Sequence, residues 1–348
     1  MTQHTCSPGI ITRPQPGAAP GDEPEALTAL PPLRCADAAR MRGEPVAASA
    51  VRDRRFLLLE VPGPWGRSAL DGKHLDAEVA RQLGAAAAAA GARVQLIRRP
   101  GRHPATGPAT RQLAYALADA SPGAERVRWG TWRDPADLLA VDLAADIPAD
   151  ASDTGPQRLA LVCTNGKRDQ CCAIRGRPVA EAIAATGWDT WECSHLGGHR
   201  FAATMVLLPS GDMFGWLDPD SALDVVRRFD AGQLVLSHHR GRAGQPAPVQ
   251  AALNAAAVRL GDFRRDAVQA RSACPAAATG AGRHEQQSLE GDADLWQVEI
   301  THHAERGPAV AYRVIVAGSR LAPAFMSCLD SSPKAETHYE VLTFSCIQ

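Results

Sequence analysis

The sequence predicts a mixed α/β protein with two α/β units and a small β-rich C-terminal extension. In the first half, short apolar runs bounded by Pro and Gly alternate with an alanine-rich helical stretch. A second series of strand and helix patterns follows the polar, aperiodic segment 149–157, which we interpret as a linker. Two alternating segments flank a turn near the C-terminus, which is a hairpin signal. We therefore expect a mostly disordered tail over residues 1–50 and an N-terminal α/β domain over residues 51–150. A second α/β domain, thioredoxin-like in its element order, is expected over residues 158–255. Residues 256–348 should form a C-terminal region of helix, loose linker and β-hairpin.

The first unit begins with an apolar strand over residues 56–61, which stops at Pro62. Residues 75–90 are rich in Ala and Leu and predict a helix that Gly91 closes. Alternating or apolar runs predict three further strands, over 93–97, 112–117 and 126–132. The alternation of strands and helix favours a sheet with packed helices.

The second unit shows strand patterns over 159–162, 188–191, 204–208 and 213–216. Helices are predicted over 178–185, where Pro178 suits a first turn, and over 222–229. The order β-α-β-β-β-α resembles a thioredoxin-like layer of helices on a mixed sheet. Beyond it we expect a helix over 249–260, a loose polar segment over 274–292, and strands over 295–301, 309–316 and 341–344.

Composition and charge exclude several classes of function. The 348 residues carry 37 basic and 38 acidic side chains, and a net charge of −1 gives no reason to expect a nucleic-acid partner. No apolar stretch approaches the length of a membrane-spanning helix, and the first 30 residues lack the pattern of a secretory signal. We therefore expect a cytoplasmic protein with no membrane partner.

Cysteine and histidine residues supply the candidate chemistry. Four of the nine cysteines lie between positions 163 and 193, which in a cytosolic protein points to metal or redox chemistry. Cys163 directly follows a buried strand, and Cys172 closes the loop that starts there. His195 and His199 lie on a second loop, where two intervening glycines disfavour a helix. Two thiolates and two imidazoles suit structural zinc and equally suit a [2Fe–2S] cluster with two histidines on one iron.

Several sequence segments resemble the sucrase/ferredoxin-like family over about residues 50–255. The most specific are LVCTNGKRDQCC at 161–172 and WECSHLGGHRFAA at 191–203; supporting matches are LPSG at 208–211, GWLDP at 215–219, RGRAGQPAPVQ at 240–250, PGPWGR at 62–67 and LIRRPG at 96–101. The resemblance implies a thioredoxin-like ferredoxin domain. It also implies a [2Fe–2S] cluster held by Cys163, Cys172, His195 and His199.

One departure from the family pattern leaves a ligand open. The residue before the second cysteine ligand is often Arg in that family, and here it is Cys171, so Cys171 is an alternative to Cys172. Cys193 is interpreted as a strand-end thiol that faces the core. The side chains that flank the ligands, interpreted either as tuning and docking groups or as a solvated rim, are Lys167, Arg168, Asp169 and Arg200.

The ligand set that the resemblance implies predicts an electron carrier with proton-coupled redox chemistry rather than a stand-alone enzyme. Its redox donor and acceptor proteins are not identified by the sequence. Glycosidase activity is not expected, because no paired carboxylates are evident. Two alternatives stay open. A thioredoxin-like thiol-disulfide oxidoreductase is disfavoured because the chain contains no Cys-x-x-Cys, and a zinc-stabilised, non-redox binding module would use the same four ligands.

Overall fold

The structure, a computed structural model, describes residues 33–71, 74–101, 112–147, 155, 157–276 and 294–347. These residues form a nine-stranded mixed sheet and a separate four-stranded antiparallel sheet. The strands of the large sheet are β1 (Arg55–Glu60), β2 (Ala92–Arg98), β3 (Leu113–Asp119), β4 (Arg126–Trp132), β5 (Leu159–Cys163), β6 (Thr190–Cys193), β7 (Met205–Leu208), β8 (Asp212–Phe214) and β9 (His239–Arg242). The predicted α/β class with a β-rich C-terminal extension is confirmed.

The two predicted α/β units share the large sheet, in which the strand order is β4-β3-β1-β2-β6-β5-β7-β8-β9. Strands β2 and β6 join the units as an antiparallel pair, with Ile97 opposite Cys193 and Arg98 opposite Glu192. Strand β5 lies between β6 and β7, and every one of its residues is buried. Such a continuous apolar run is typical of a strand covered on both faces. The pairing of β2 with β6 places β2 of the first unit beside the loop that follows β6.

The described residues also form five α-helices: α1 (Cys35–Met41), α2 (Ala77–Ala89), α3 (Gln170–Ala184), α4 (Pro219–Asp230) and α5 (Ala247–Leu260). Three of them start at a capping aspartate, as the side chains of Asp76, Asp169 and Asp218 accept hydrogen bonds from backbone N–H groups of the first turn. The longest, α3, has 15 residues. Among the described helices, none has both the length and the apolar character that crossing a bilayer requires.

Helix α3 begins eight residues before the predicted helix. The carboxylate of Asp169 accepts a hydrogen bond from the backbone N–H of Cys171 at 2.9 Å, which starts the helix at Gln170. Pro178 therefore lies inside the helix and not in its first turn. As a consequence, Cys171 and Cys172 lie in the first turn of a helix, whereas the sequence pattern had placed them at the end of a loop.

The described part of the predicted tail and the C-terminal region are more structured than the sequence pattern indicates, while residues 1–32 lie outside the described residues. Within the predicted tail, α1 buries Cys35, Ala36 and Ala39, which the 3.6-residue period brings to one face. The C-terminal sheet contains four strands, in the order β10 (Val268–Pro275), β11 (Asp294–His302), β12 (Val310–Arg320) and β13 (Thr337–Ile347). Helix α5 packs on this sheet. The predicted loose segment lies outside the described residues beyond residue 276, and so does most of the predicted linker 149–157.

Candidate metal centre

Three of the four predicted ligands converge at the carboxyl end of β5. Cys163 is the last residue of β5, Cys172 lies in the first turn of α3, and His195 lies on the loop after β6. One ligand atom of each lies within 4.8 Å of the other two. Both thiols are buried, with at most 1% of either cysteine exposed, while His195 is partly exposed. The site therefore has a buried sulfur side and a more open imidazole side.

The fourth predicted ligand, His199, packs against His195. The ring centroids of the two imidazoles are 4.9 Å apart, and their planes are inclined by 33°. The Nδ1 atom of each ring is buried and has no hydrogen-bond partner. His199 is not part of the group whose ligand atoms all lie within 4.8 Å of one another, but its ring neighbours that group through His195. Buried polar atoms normally have a partner, so an orphaned nitrogen in each of two neighbouring rings indicates a site that another atom completes. Two thiols and two imidazoles suit structural zinc and equally suit a [2Fe–2S] cluster with two histidines on one iron.

The electrostatics of the site favour the metal-binding protonation states of Cys163 and His199, whereas the hydrogen bond with Cys163 and burial raise the pKa of Cys172. The hydrogen bond with the Cys172 thiol, together with the nearby imidazole of His195, holds the pKa of Cys163 well below its ordinary value despite burial. Burial, reinforced by the neighbouring His195, lowers the pKa of His199 to about 4. At neutral pH the site thus presents a thiolate and a neutral imidazole, the forms in which these residues ligate metals.

The loop that carries both histidines is held from inside by Arg240. The guanidinium of this fully buried side chain donates to the carbonyl of Gly197 at 3.0 Å and to the hydroxyl of Ser49 at 3.0 Å. It also donates to the carbonyl of Ser49. Gly198 has a φ of +69°, and a Cβ there would lie 2.5 Å from the guanidinium. Only glycine combines this backbone conformation with so close an approach.

Residues of the first unit support the same loop. The side-chain amide of Gln95 on β2 donates to the carbonyl of His195 at 3.1 Å, and the hydroxyl of Ser194 donates back to Gln95 at 2.7 Å. In the loop after β5, Asn165 donates to the carbonyl of Gly66 at 3.1 Å. The sequence alone does not indicate these supports, because no local pattern shows that β2 pairs with β6.

The predicted flanking residues have different surroundings. Lys167 is exposed, and the positive charge of Arg168 contributes to the low pKa of His199. Arg200 is buried and forms ion pairs with Glu44 and Glu336, so its charge is already balanced within the chain. Asp169 is buried and caps α3.

Cys171 lies in a second group of thiols. Its Sγ atom is 3.6 Å from Sγ of Cys35 and 3.5 Å from Sγ of Cys328, and Asp169 completes the group. Cys172 is the cysteine that shares a group with Cys163 and His195. No sequence signal points to Cys35 or Cys328, because Cys35 lies in the predicted tail and Cys328 in a region without recognisable motifs.

Gly176 lets α3 approach β5 closely enough to bring Cys172 next to Cys163. A Cβ on Gly176 would lie 2.1 Å from the carbonyl oxygen of Cys163. Gly176→Ala is expected to push the helix from the strand and to lower the free energy of unfolding by about 1–3 kcal/mol, as measured by thermal or denaturant unfolding.

Gly84→Ala in α2 is the matched control, since its Cβ would meet only the flexible end of Leu70 at 3.3 Å. Both substitutions gain the same helix propensity, so Gly84→Ala should leave stability unchanged or slightly raised. Equal stability of the two variants would contradict the steric argument.

Comparison with known proteins gives one finding. The sucrase/ferredoxin-like family model matches residues 47–241, more than half of the chain, and this span includes all four predicted ligands. A search of curated proteins and a search of solved structures each gave no match. The matched span also includes β2 and its contacts to the histidine loop. The chain therefore belongs to the sucrase/ferredoxin-like family.

Proposed function

We propose that the protein is an electron carrier that holds one [2Fe–2S] cluster with Cys163, Cys172, His195 and His199. The observation that carries the proposal is the pair of buried, unpartnered Nδ1 atoms beside two buried thiols. When bound, such a cluster takes up and releases single electrons. The simplest assignment gives both cysteines to one iron and both histidines to the other.

The chain's own residues hold and shield this site. The buried side chains of Cys163 and Cys172 exclude water from the sulfur side, which the strand end and the first turn of α3 fix in place. Arg240 and Gln95 fix the backbone that carries the imidazoles. If Nδ1 ligates in both histidines, Nε2 of each ring is left to hold or release a proton.

The difference in exposure predicts the side from which a redox partner approaches. His195 and His199 are partly exposed, whereas both thiols are buried. Donor and acceptor proteins would therefore approach the imidazole side, where Arg168 is close enough for its charge to act on His199. The exposed Lys167 precedes Arg168 in the same loop. The same exposure lets the imidazoles exchange protons with water, so uptake of an electron is coupled to uptake of a proton.

Iron and sulfide analysis of anaerobically purified protein tests the proposal. We expect about two iron and two sulfide per chain and the red-brown visible spectrum of a [2Fe–2S] protein. Cys163→Ser should remove iron, sulfide and colour together. Cys274→Ser, which changes a cysteine of β10 outside both groups, should remove none of them. A colourless protein with zinc bound to these four residues would replace the proposal with the non-redox alternative.

A further inference from the structure

The group around Cys171 has the geometry of a closed metal site that is separate from the cluster ligands. The three Sγ atoms of Cys35, Cys171 and Cys328 form a nearly equilateral triangle with sides of 3.6, 3.5 and 3.6 Å. A carboxylate oxygen of Asp169 lies 3.6 Å from the sulfur of Cys35. Single ligand atoms of all four residues lie within 4.8 Å of one another. Four ligand atoms spaced in this way can all contact one metal ion.

These spacings fit zinc. A tetrahedral zinc ion with Zn–S bonds of about 2.3 Å separates its sulfur ligands by about 3.8 Å, close to the observed sides of the triangle. All three cysteines are free thiols, and three sulfurs cannot all be paired in disulfides. We propose a tetrahedral zinc site formed by three thiolates and one carboxylate, those of Cys35, Cys171, Cys328 and Asp169.

Asp169 retains the capacity to act as the fourth ligand. One oxygen accepts the N–H of Cys171 at 2.9 Å, and the other accepts the N–H of Cys328 at 2.9 Å and the hydroxyl of Ser327 at 2.8 Å. A carboxylate offers about four acceptor positions, so three hydrogen bonds leave one for a metal. The same hydrogen bonds fix the orientation of the carboxylate, as the surroundings of structural metal ligands commonly do. The ligand set carries the same charge as four thiolates, which bind structural zinc.

Backbone hydrogen bonds also hold the Cys328 sulfur and its turn in position. The N–H of Cys35 donates to Sγ of Cys328 at 3.4 Å. The turn that carries Cys328 is closed by Asp330, which accepts the N–H groups of Ser327 at 2.8 Å and Met326 at 3.0 Å. Cys328 is exposed while the other three residues are buried, which gives an ion one entrance.

The site would join three distant parts of the chain. Cys35 starts α1, Asp169 and Cys171 start α3, and Cys328 lies between β12 and β13, 157 residues beyond Cys171. Zinc would therefore fasten the N-terminal segment and the C-terminal sheet to the helix that carries Cys172. Because a metal that binds only the folded chain stabilises it, the ion would also contribute to folding.

Zinc analysis in a background that lacks one proposed [2Fe–2S] ligand, Cys163, tests this proposal independently of the proposed function. We compare full-length Cys163→Ser protein, expressed with added zinc, with the same protein that also carries Cys328→Ser or Asp169→Asn. The first should hold about one zinc per chain, and addition of Cys328→Ser should reduce this at least about tenfold. Addition of Cys274→Ser, the matched control, should leave the zinc content unchanged.

Two further readouts keep the test decisive if a variant folds poorly. In the Cys163→Ser background, a chelator should lower the melting temperature and expose Cys328 to alkylation, and added Zn²⁺ should reverse both effects. The Cys163→Ser/Cys328→Ser protein should melt at the same temperature with and without chelator. Zinc retained in that double variant, or no zinc in Cys163→Ser protein even after incubation with excess Zn²⁺, would overturn the proposal.

Discussion

The midpoint potential of the cluster-loaded protein is expected to fall as the pH rises from about 6 to 9, by up to ~59 mV per pH unit where one proton accompanies each electron. The two imidazoles are the cause, because each ligating ring keeps a second nitrogen that can hold a proton. Added electron density raises the pKa of that proton, so proton uptake favours reduction at low pH. Redox titration followed by visible absorption at several pH values measures the slope.

A four-thiolate variant provides the control. His195→Cys/His199→Cys creates the four-thiolate ligand set common among [2Fe–2S] proteins, with two additional negative charges near the irons. We expect its potential to lie a few hundred mV below that of the natural protein and to be nearly independent of pH over the same range. If the natural protein showed a pH-independent potential instead, ligation by His195 and His199 would be contradicted.

The sequence predicts where the candidate ligand groups lie because their backbone signals are local. Cys163 follows a run of apolar residues that reads as a buried strand, and the structure places it at the end of β5. His195 and His199 are separated by two glycines, and the structure brings their rings to 4.9 Å. In both cases a few neighbouring residues determine the backbone, so spacing along the chain translates directly into position.

Contacts between segments that are distant in the sequence are not indicated by any local sequence pattern. The thiol group of Cys35, Cys171 and Cys328 joins residues up to 293 positions apart, and no periodicity in the sequence predicts it. No sequence pattern predicts the pairing of β2 with β6 either, although this pairing brings Gln95 to the carbonyl of His195. The sequence pattern predicts the start of α3 at residue 178 instead of Gln170 for a different reason. Pro178 suggested a first turn, whereas the capping side chain of Asp169 determines the actual one.

Replacement of Arg240 is expected to produce the largest loss of stability near the site. Arg240→Met keeps most of the buried stem but removes the guanidinium, so the carbonyls of Gly197 and Ser49 lose their donor. At about 1–3 kcal/mol for each unpaired carbonyl, the free energy of unfolding should fall by about 2–6 kcal/mol in denaturant titrations. Arg227→Ala, at an exposed position on α4, is the control and should change stability by less than about 0.5 kcal/mol.

The histidine loop gives the Arg240 prediction a second readout. Because the guanidinium connects Gly197 to Ser49, its loss frees the backbone between His195 and His199, and the iron content of Arg240→Met protein should fall with its stability. Arg240→Lys should recover only part of both, since one ammonium group cannot reproduce a planar fork that reaches two segments. If Arg240→Met protein retained the iron content and stability of the natural chain, the loop would be ordered by its own backbone, and Arg240 would only fill space beneath it.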